Sequence, residues 1–234
     1  MQGDLARRVV DAYGGIPRWE NARRVHAVAS ANGLAFRLKR REPFVQTVFE
    51  MEAHRPFVRI SPINRLGQIG VLEGHDVRIE DAEGRVIASR PNARRHFPGG
   101  RRLLWWDDLD MTYFAGYATW NYCTLPALLI DHPTRFQQFG DDLLQARFPA
   151  TIPTHSPEQT FRFDRFGQLI QHDYTALVIG HWARAANVVL EHGRNEQGIA
   201  YTRHRRVTPR RADGTPRKRP ILIDLTIQDF EIIS

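Results

Sequence analysis

The chain has 234 residues, 42% of them hydrophobic and 25% charged, a length that buries roughly 70% of the surface an unfolded chain exposes and a composition that excludes disorder. Its single cysteine, Cys123, excludes an internal disulfide framework and, with no Cys pairs at metal spacing, a zinc finger. The formal net charge of +7 is carried almost wholly by arginine, since Lys39 and Lys218 are the only lysines among 33 basic residues; charge of this size bears on solubility and non-specific association, and no specific nucleic-acid partner is expected.

In chain order, the first element is an amphipathic helix over 4–14, with Leu5, Val9, Ala12 and Tyr13 as its apolar positions, Asp4 at its positive end and Gly14-Gly15 where it must stop. From Arg23 the period changes to two. Val25, Ala27 and Ala29 alternate with small or polar neighbours, and Leu34, Phe36 and Leu38 do so across Asn32-Gly33, which predicts a hairpin. Short strands follow over 45–53, 57–60, 68–72, 77–80 and 86–89, punctuated by Pro56, Pro62, Gly74 and Gly84, so that 23–90 forms a first meander. After Pro98-Gly99-Gly100, the segment 105–140 has a helical pattern: a helix over 107–122 capped by Asp107 or Asp108 and ended or kinked by Pro126, then a second helical piece over 134–139. Alternation returns at Thr160 and makes 159–233 a second meander, with turns at Phe166-Gly167, Gly180, Gly193 to Gly198 and Asp213-Gly214. Strands, then helices, then strands predict an α+β fold: a large curved antiparallel sheet with helices on one face, in a single domain over 1–234.

The segment Tyr13-Gly14-Gly15-Ile16-Pro17-Arg18-Trp19, a helix ending in Gly-Gly with a tryptophan leading into the first strand, resembles the opening of the bacterial lipoprotein-carrier (LolA-like) superfamily. The order of elements is similar along most of the chain. The resemblance implies a half-barrel of about ten or eleven strands wrapped around the N-terminal helix and the central helical insertion, with a hydrophobic cavity for acyl chains. It carries over no functional residue.

The densest unusual stretch is 105–122. At helical spacing Asp110, Tyr113, Tyr117 and Trp120 or Asn121 share one face, which can line a pocket while offering hydroxyls and a carboxylate. With Trp106, and with Ile170 and Trp182 from the second meander, Tyr113, Tyr117, Trp120 and Asn121 are the candidate ligand-binding residues. The same side chains also suit plain filling of the gap between helix and sheet. In the strand beginning at Ile170, His172 and Tyr174 share an apolar face with Ile170, Ala176 and Val178, whereas Asp173 points away. If that face lines a cavity, His172 is a candidate acid or base, Tyr174 or Tyr117 a partner for a substrate oxygen, and Asp110 the orienting carboxylate; a core histidine satisfied by a backbone carbonyl is the alternative.

No metal and no cofactor is expected. The ten histidines form no close ligand pair, and there is no phosphate-cradling loop, dinucleotide fingerprint or nucleophile elbow. The basic run from Arg203 to Arg219 brackets Asp213-Gly214, with Arg203 and Arg205 on one strand face and His204 and Arg206 on the other; it suits a solvated hairpin end, with a weak anionic partner as the alternative. The expected function is binding of a lipophilic or aromatic small molecule between sheet and helices, and the alternative is a cofactor-independent acid–base enzyme (isomerase, cyclase or hydrolase) acting on such a molecule. The opening residues lack a secretory pattern and no stretch approaches ~18 apolar residues, so a cytoplasmic location without a transmembrane segment is expected.

Overall fold

Period-two burial runs through the strands, with Val25, Ala27, Ala29 and Ala31 inward on the first and Val58 and Ile60 inward on the third. The computed structural model describes residues 3–234; Met1 and Gln2, part of the expected domain, lie outside the described residues. The elements are α1 (Asp4–Ala12), α2 (Ile16–Glu20), β1 (Arg24–Asn32), α3 (Leu34–Leu38), β2 (Phe44–Glu52), β3 (Phe57–Ser61), β4 (Ile69–Glu73), β5 (Asp76–Glu80), β6 (Val86–Arg90), α4 (Asp108–Cys123), α5 (Leu125–Asp131), β7 (Phe136–Phe139), β8 (Leu143–Arg147), β9 (Glu158–Phe163), β10 (Leu169–Thr175), β11 (Arg184–Arg194), β12 (Ala200–Pro209) and β13 (Ile223–Ile233).

All thirteen strands belong to one curved, unclosed antiparallel sheet, ordered β6-β5-β4-β3-β2-β1-β13-β12-β11-β10-β9-β8-β7. Each half is a run of hairpins. They meet where β1 pairs with β13, from Arg24 opposite Ile233 to Asn32 opposite Asp224. The architecture is an α+β half-barrel.

Helix α4 is buried nearly all round, from Leu109 to Cys123, as expected of a helix enclosed in a core. It packs on β3, β4 and β5 and reaches β12. Close approach to β4 depends on Gly70, where a Cβ would lie 2.4 Å from Thr112 Oγ1. Its start is an intact capping box: Asp107 accepts from the Asp110 amide at 2.8 Å, and Asp110 accepts from the Asp107 amide at 3.2 Å. Helix α1 buries Leu5, Ala6, Val9 and Val10. No described helix is long and apolar enough to cross a membrane.

Three expectations are corrected. The sheet has thirteen strands, not ten or eleven, because 136–139 and 143–147 pair as β7 and β8 where a helical piece over 134–139 was expected; four residues of phenylalanine and glutamine are too few to separate the two periods. The α-helical block therefore ends at Asp131, with a break at Thr124 before Pro126, and only a single 3-10 turn over Pro133–Arg135 precedes β7. Asn32-Gly33 does not turn a hairpin. Gly33, at φ +135°, turns the chain into α3, and the backbone of Leu222 closes on it so tightly that a Cβ would sit 2.4 Å from the Leu222 carbonyl oxygen. Gly33→Ala is expected to destabilise the protein by about 1–3 kcal/mol, read as a lower urea midpoint.

Candidate functional site

The face of α4 singled out by helical spacing is buried, and each polar group on it is anchored. Trp120 Nε1 donates to the Glu52 carbonyl at 2.8 Å, and Asn121 Nδ2 donates to the Tyr117 and Pro153 carbonyls at 2.7 and 2.9 Å. His75 Nε2 donates to the Ala150 carbonyl, which leaves its Nδ1 to accept from the Tyr113 hydroxyl at 2.9 Å. Trp106 lies at the helix's other end, packed against Phe97 and Phe114, with its Nε1 donating to the Arg102 carbonyl. These residues form an aromatic core, not the wall of an open cavity.

Asp110 is not beside His172. It is fully buried and held by Arg90 and Arg102, each at 2.6 Å from Oδ1, and by Arg101. Asp107 shares Arg90 and Arg101; burial pushes its carboxyl up, but the hydrogen bonds from Arg90, the Asp110 amide and Arg101 outweigh that and hold it well below the ordinary range. The expected orienting role of Asp110 is thus corrected to a structural one: arginines from the end of β6 and the preceding loop claim both oxygens. Trp182 is 78% exposed in the loop after β10, and Ile170 is 41% exposed. A register shift between Leu169 and Gln171 turns Leu169 inward and Ile170 outward, which the strict alternation misses.

His172 and Tyr174 do come together with α4, in a buried polar seam that also contains His155, a residue no sequence signal marked. His155 stacks on Tyr174 at 3.7 Å between ring centres, and its Nδ1 and Nε2 face the hydroxyls of Tyr117 and Tyr122 at 3.2 and 2.9 Å. The Tyr122 and Tyr174 hydroxyls are 3.0 Å apart. Arg94 fixes the loop carrying His155 by donating to the Thr154 and His155 carbonyls. His172 Nε2 meets Gln159 Oε1 at 2.5 Å, and because the Gln159 amide nitrogen donates to the Ser156 carbonyl, the proton belongs on Nε2. His172 Nδ1 is then an acceptor with no partner among the described residues, and on Asn187, the residue paired opposite it, the Nδ2 donor and the Oδ1 acceptor are likewise unpartnered among them. Burial pushes His155 and His172 well below the ordinary histidine range and Tyr117 and Tyr174 well above the ordinary tyrosine range. At neutral pH these histidines and tyrosines are uncharged, a hydrogen-bonding wall.

The fully buried charge beside it is Arg205. Alternation places Arg203 and Arg205 on one face, but β12 carries an extra residue at Arg203 between the pairs Glu191–His204 and His192–Thr202, so Arg203 points out to Glu191 while Arg205 points in. Arg205 is 2% exposed, lies over the Tyr122 ring at 4.6 Å, and lines a cavity of about 20 Å³ with Tyr13, Trp19, Cys123, Leu125 and Phe230. Tyr13 and Trp19 of the Gly-Gly segment shape this cavity: Trp19 Nε1 donates to the Tyr13 carbonyl at 2.8 Å and the Tyr13 hydroxyl accepts from the Leu169 amide at 3.0 Å. A second void beside Trp106 measures about 10 Å³. Each is about the size of one water, so the expected open space between sheet and helices is replaced by packed side chains. The larger openings, about 660 and 450 Å³, are surface grooves beside α3 and β2.

No protein-family model matches the chain, and no curated protein matches it in sequence. Among solved structures it is similar to a DUF1329 family protein from Desulfovibrio piger, at TM-score 0.47 and 11% identity over 98% of this chain and 90% of that one. It is also similar to a domain from Vibrio parahaemolyticus described as an outer membrane lipoprotein-sorting protein, at TM-score 0.46 and 9% identity over 98% and 91% of the two chains.

In the rest of the basic run Arg206 and Arg210 are paired, and Arg211, Arg217, Lys218 and Arg219 form no ion pair among the described residues. Arg206 and His204 hold Asp224 at 3.0 and 2.6 Å, and Arg210 lies 3.7 Å from Asp173. Among the described residues, no group of three or more His, Cys, Asp or Glu side chains is placed to hold a metal ion.

Two outcomes are expected. Asp110→Ala leaves the half-buried Arg102 without a counter-charge, takes one of two from Arg90 and Arg101, and breaks the capping box; it should cost about 3 kcal/mol in urea unfolding. Because the folded chain keeps His155 and His172 unprotonated below their ordinary range, the unfolded chain binds the extra protons. Stability should therefore be intact above about pH 6.5 and fall below it, by about 1.4 kcal/mol per pH unit per histidine, with His172→Gln showing the shallower fall between pH 6.5 and 5.

Proposed function

We propose that this protein binds a lipophilic small molecule between the curved sheet and its covering helices, at the seam bounded by Tyr13, Trp19, Leu125, Tyr201 and Phe230. The observation that carries the reading is the combination found there: an apolar, aromatic boundary between sheet and helices containing a buried cation, one of whose nitrogens no described residue satisfies. A stable interior rarely leaves such groups uncompensated, whereas a ligand site needs a few polar groups set in apolar walls.

Since the cavity is about 20 Å³, the guest makes its room by moving the helical side of the seam. Helix α5 has seven residues, and the chain leaves helical geometry at Thr124, with Pro126 in its first turn. These features make α5 the segment best placed to yield. One sheet and one main buried cluster reaching from Leu5 to Ile232 support reading the chain as a single domain, and a lone buried thiol at Cys123 suits a reducing compartment such as the cytoplasm.

The test is titration with an environment-sensitive fluorescent fatty probe against wild type and Ala200→Phe, a substitution that fills the seam from β12. Wild type should bind the probe saturably at about one per chain, and the variant about tenfold more weakly or not at all, while still unfolding cooperatively. Equal binding by the two proteins would place the probe in the surface grooves and refute the reading, as would uptake that never saturates.

A further inference from the structure

We infer that the ligand of this seam carries a single carboxylate, and that Arg205 receives it. The inference rests on the proposed binding at the seam and adds the chemical class of the guest. Of the guanidinium's nitrogens, Nε donates to Thr202 Oγ1 at 2.8 Å, Nη2 reaches the Tyr122 carbonyl only at 3.5 Å, and Nη1 has no partner among the described residues. The acidic groups near enough to act on it are Tyr122, Tyr13, Cys123 and Tyr174. All four are neutral at pH 7, and burial pushes Tyr13 and Cys123 up to about 12. The positive charge is therefore buried against a tyrosine face and one hydroxyl, with no described carboxylate paired to it.

A buried ion stays favourable only when it is paired and hydrogen-bonded. The missing partner has to be an anion, and its charge follows from the surroundings. Arg205 is the seam's fully buried cation, whereas Arg94 at its edge is only half-buried; a monoanion balances Arg205, and a phosphate dianion would bring a second, uncompensated charge. The guanidinium fork matches the two oxygens of a carboxylate, and the Thr202 hydroxyl, which accepts from Nε, retains a proton to donate alongside it. Trp19, Leu125, Leu169, Ile227 and Phe230 form apolar walls beside the charge, so the remainder of the guest is hydrocarbon. A fatty or aromatic monocarboxylic acid has this combination.

The experiment compares carboxyl-carbon-13-labelled dodecanoate, dodecanol and dodecyl phosphate as probes on wild type and Arg205→Met. Wild type should bind dodecanoate about tenfold or more tightly than dodecanol, and the bound carboxyl carbon should titrate below the free acid. Arg205→Met should reduce dodecanoate to the affinity of dodecanol and leave dodecanol unchanged. The unliganded variant should melt no lower than wild type, because methionine removes an uncompensated charge. If no probe binds, the seam takes no lipophile and the proposed function itself fails. If dodecanoate and dodecanol bind equally and Arg205→Met alters neither, lipophile binding stands and the carboxylate assignment falls; tighter binding of dodecyl phosphate than of dodecanoate also overturns it. Should Arg205→Met fail to fold, the carbon-13 titration on wild type decides, and a bound carboxyl titrating at or above the free acid overturns the assignment.

Discussion

The pairing of the first strand with the last is the constraint on which the molecule depends. β1 and β13 meet along their full lengths, and this contact converts two local meanders into one surface. Each meander can form from neighbouring segments, since every other pairing joins strands adjacent in sequence. Separated, each would expose a long edge and half of an apolar face. Joined, they offer one curved face wide enough to enclose α4, which packs on β3 to β5 in the first half and meets β12 in the second. The buried helix and its polar seam exist because this long-range pairing brings the halves together.

Two irregularities in the strands decide what the enclosed face contains. The shift at Ile170 turns that side chain out and Leu169 in. The extra residue at Arg203 separates two arginines that strict alternation would keep together, and drives Arg205 into the interior. A bulge changes the facing of every residue beyond it. In this protein the consequence is a buried cation beside tyrosines and histidines that burial keeps neutral.

The contrast with the other end of α4 is instructive. There, Asp107 and Asp110 are matched by Arg90, Arg101 and Arg102, and every carboxylate oxygen is engaged. That cluster satisfies itself and fixes the start of the helix. Around Arg205, His172 and Asn187, side-chain atoms remain without a partner among the described residues. One helix thus joins a closed electrostatic anchor to an open polar seam.

Composition and period sufficed for the α+β class, the two meanders, most strands to within two or three residues, and the cap of α4 at Asp107, because each follows from neighbours in the chain. Period also marked His172 and Tyr174, and the family resemblance rested on the Tyr13 to Trp19 segment; these help form the seam or its cavity. Composition and period could not show that Asn32-Gly33 opens a helix, since that depends on the Leu222 backbone arriving from far along the chain. Nor could they show His155, which lies in a loop without periodicity, or Asp110 claimed by three arginines. The facing of Arg205 was hidden for the same reason: a bulge is set by the register of a partner strand, and register is a property of the folded sheet, not of the segment. Local sequence determined which elements form; only tertiary structure decided which of their polar atoms are brought together in the interior.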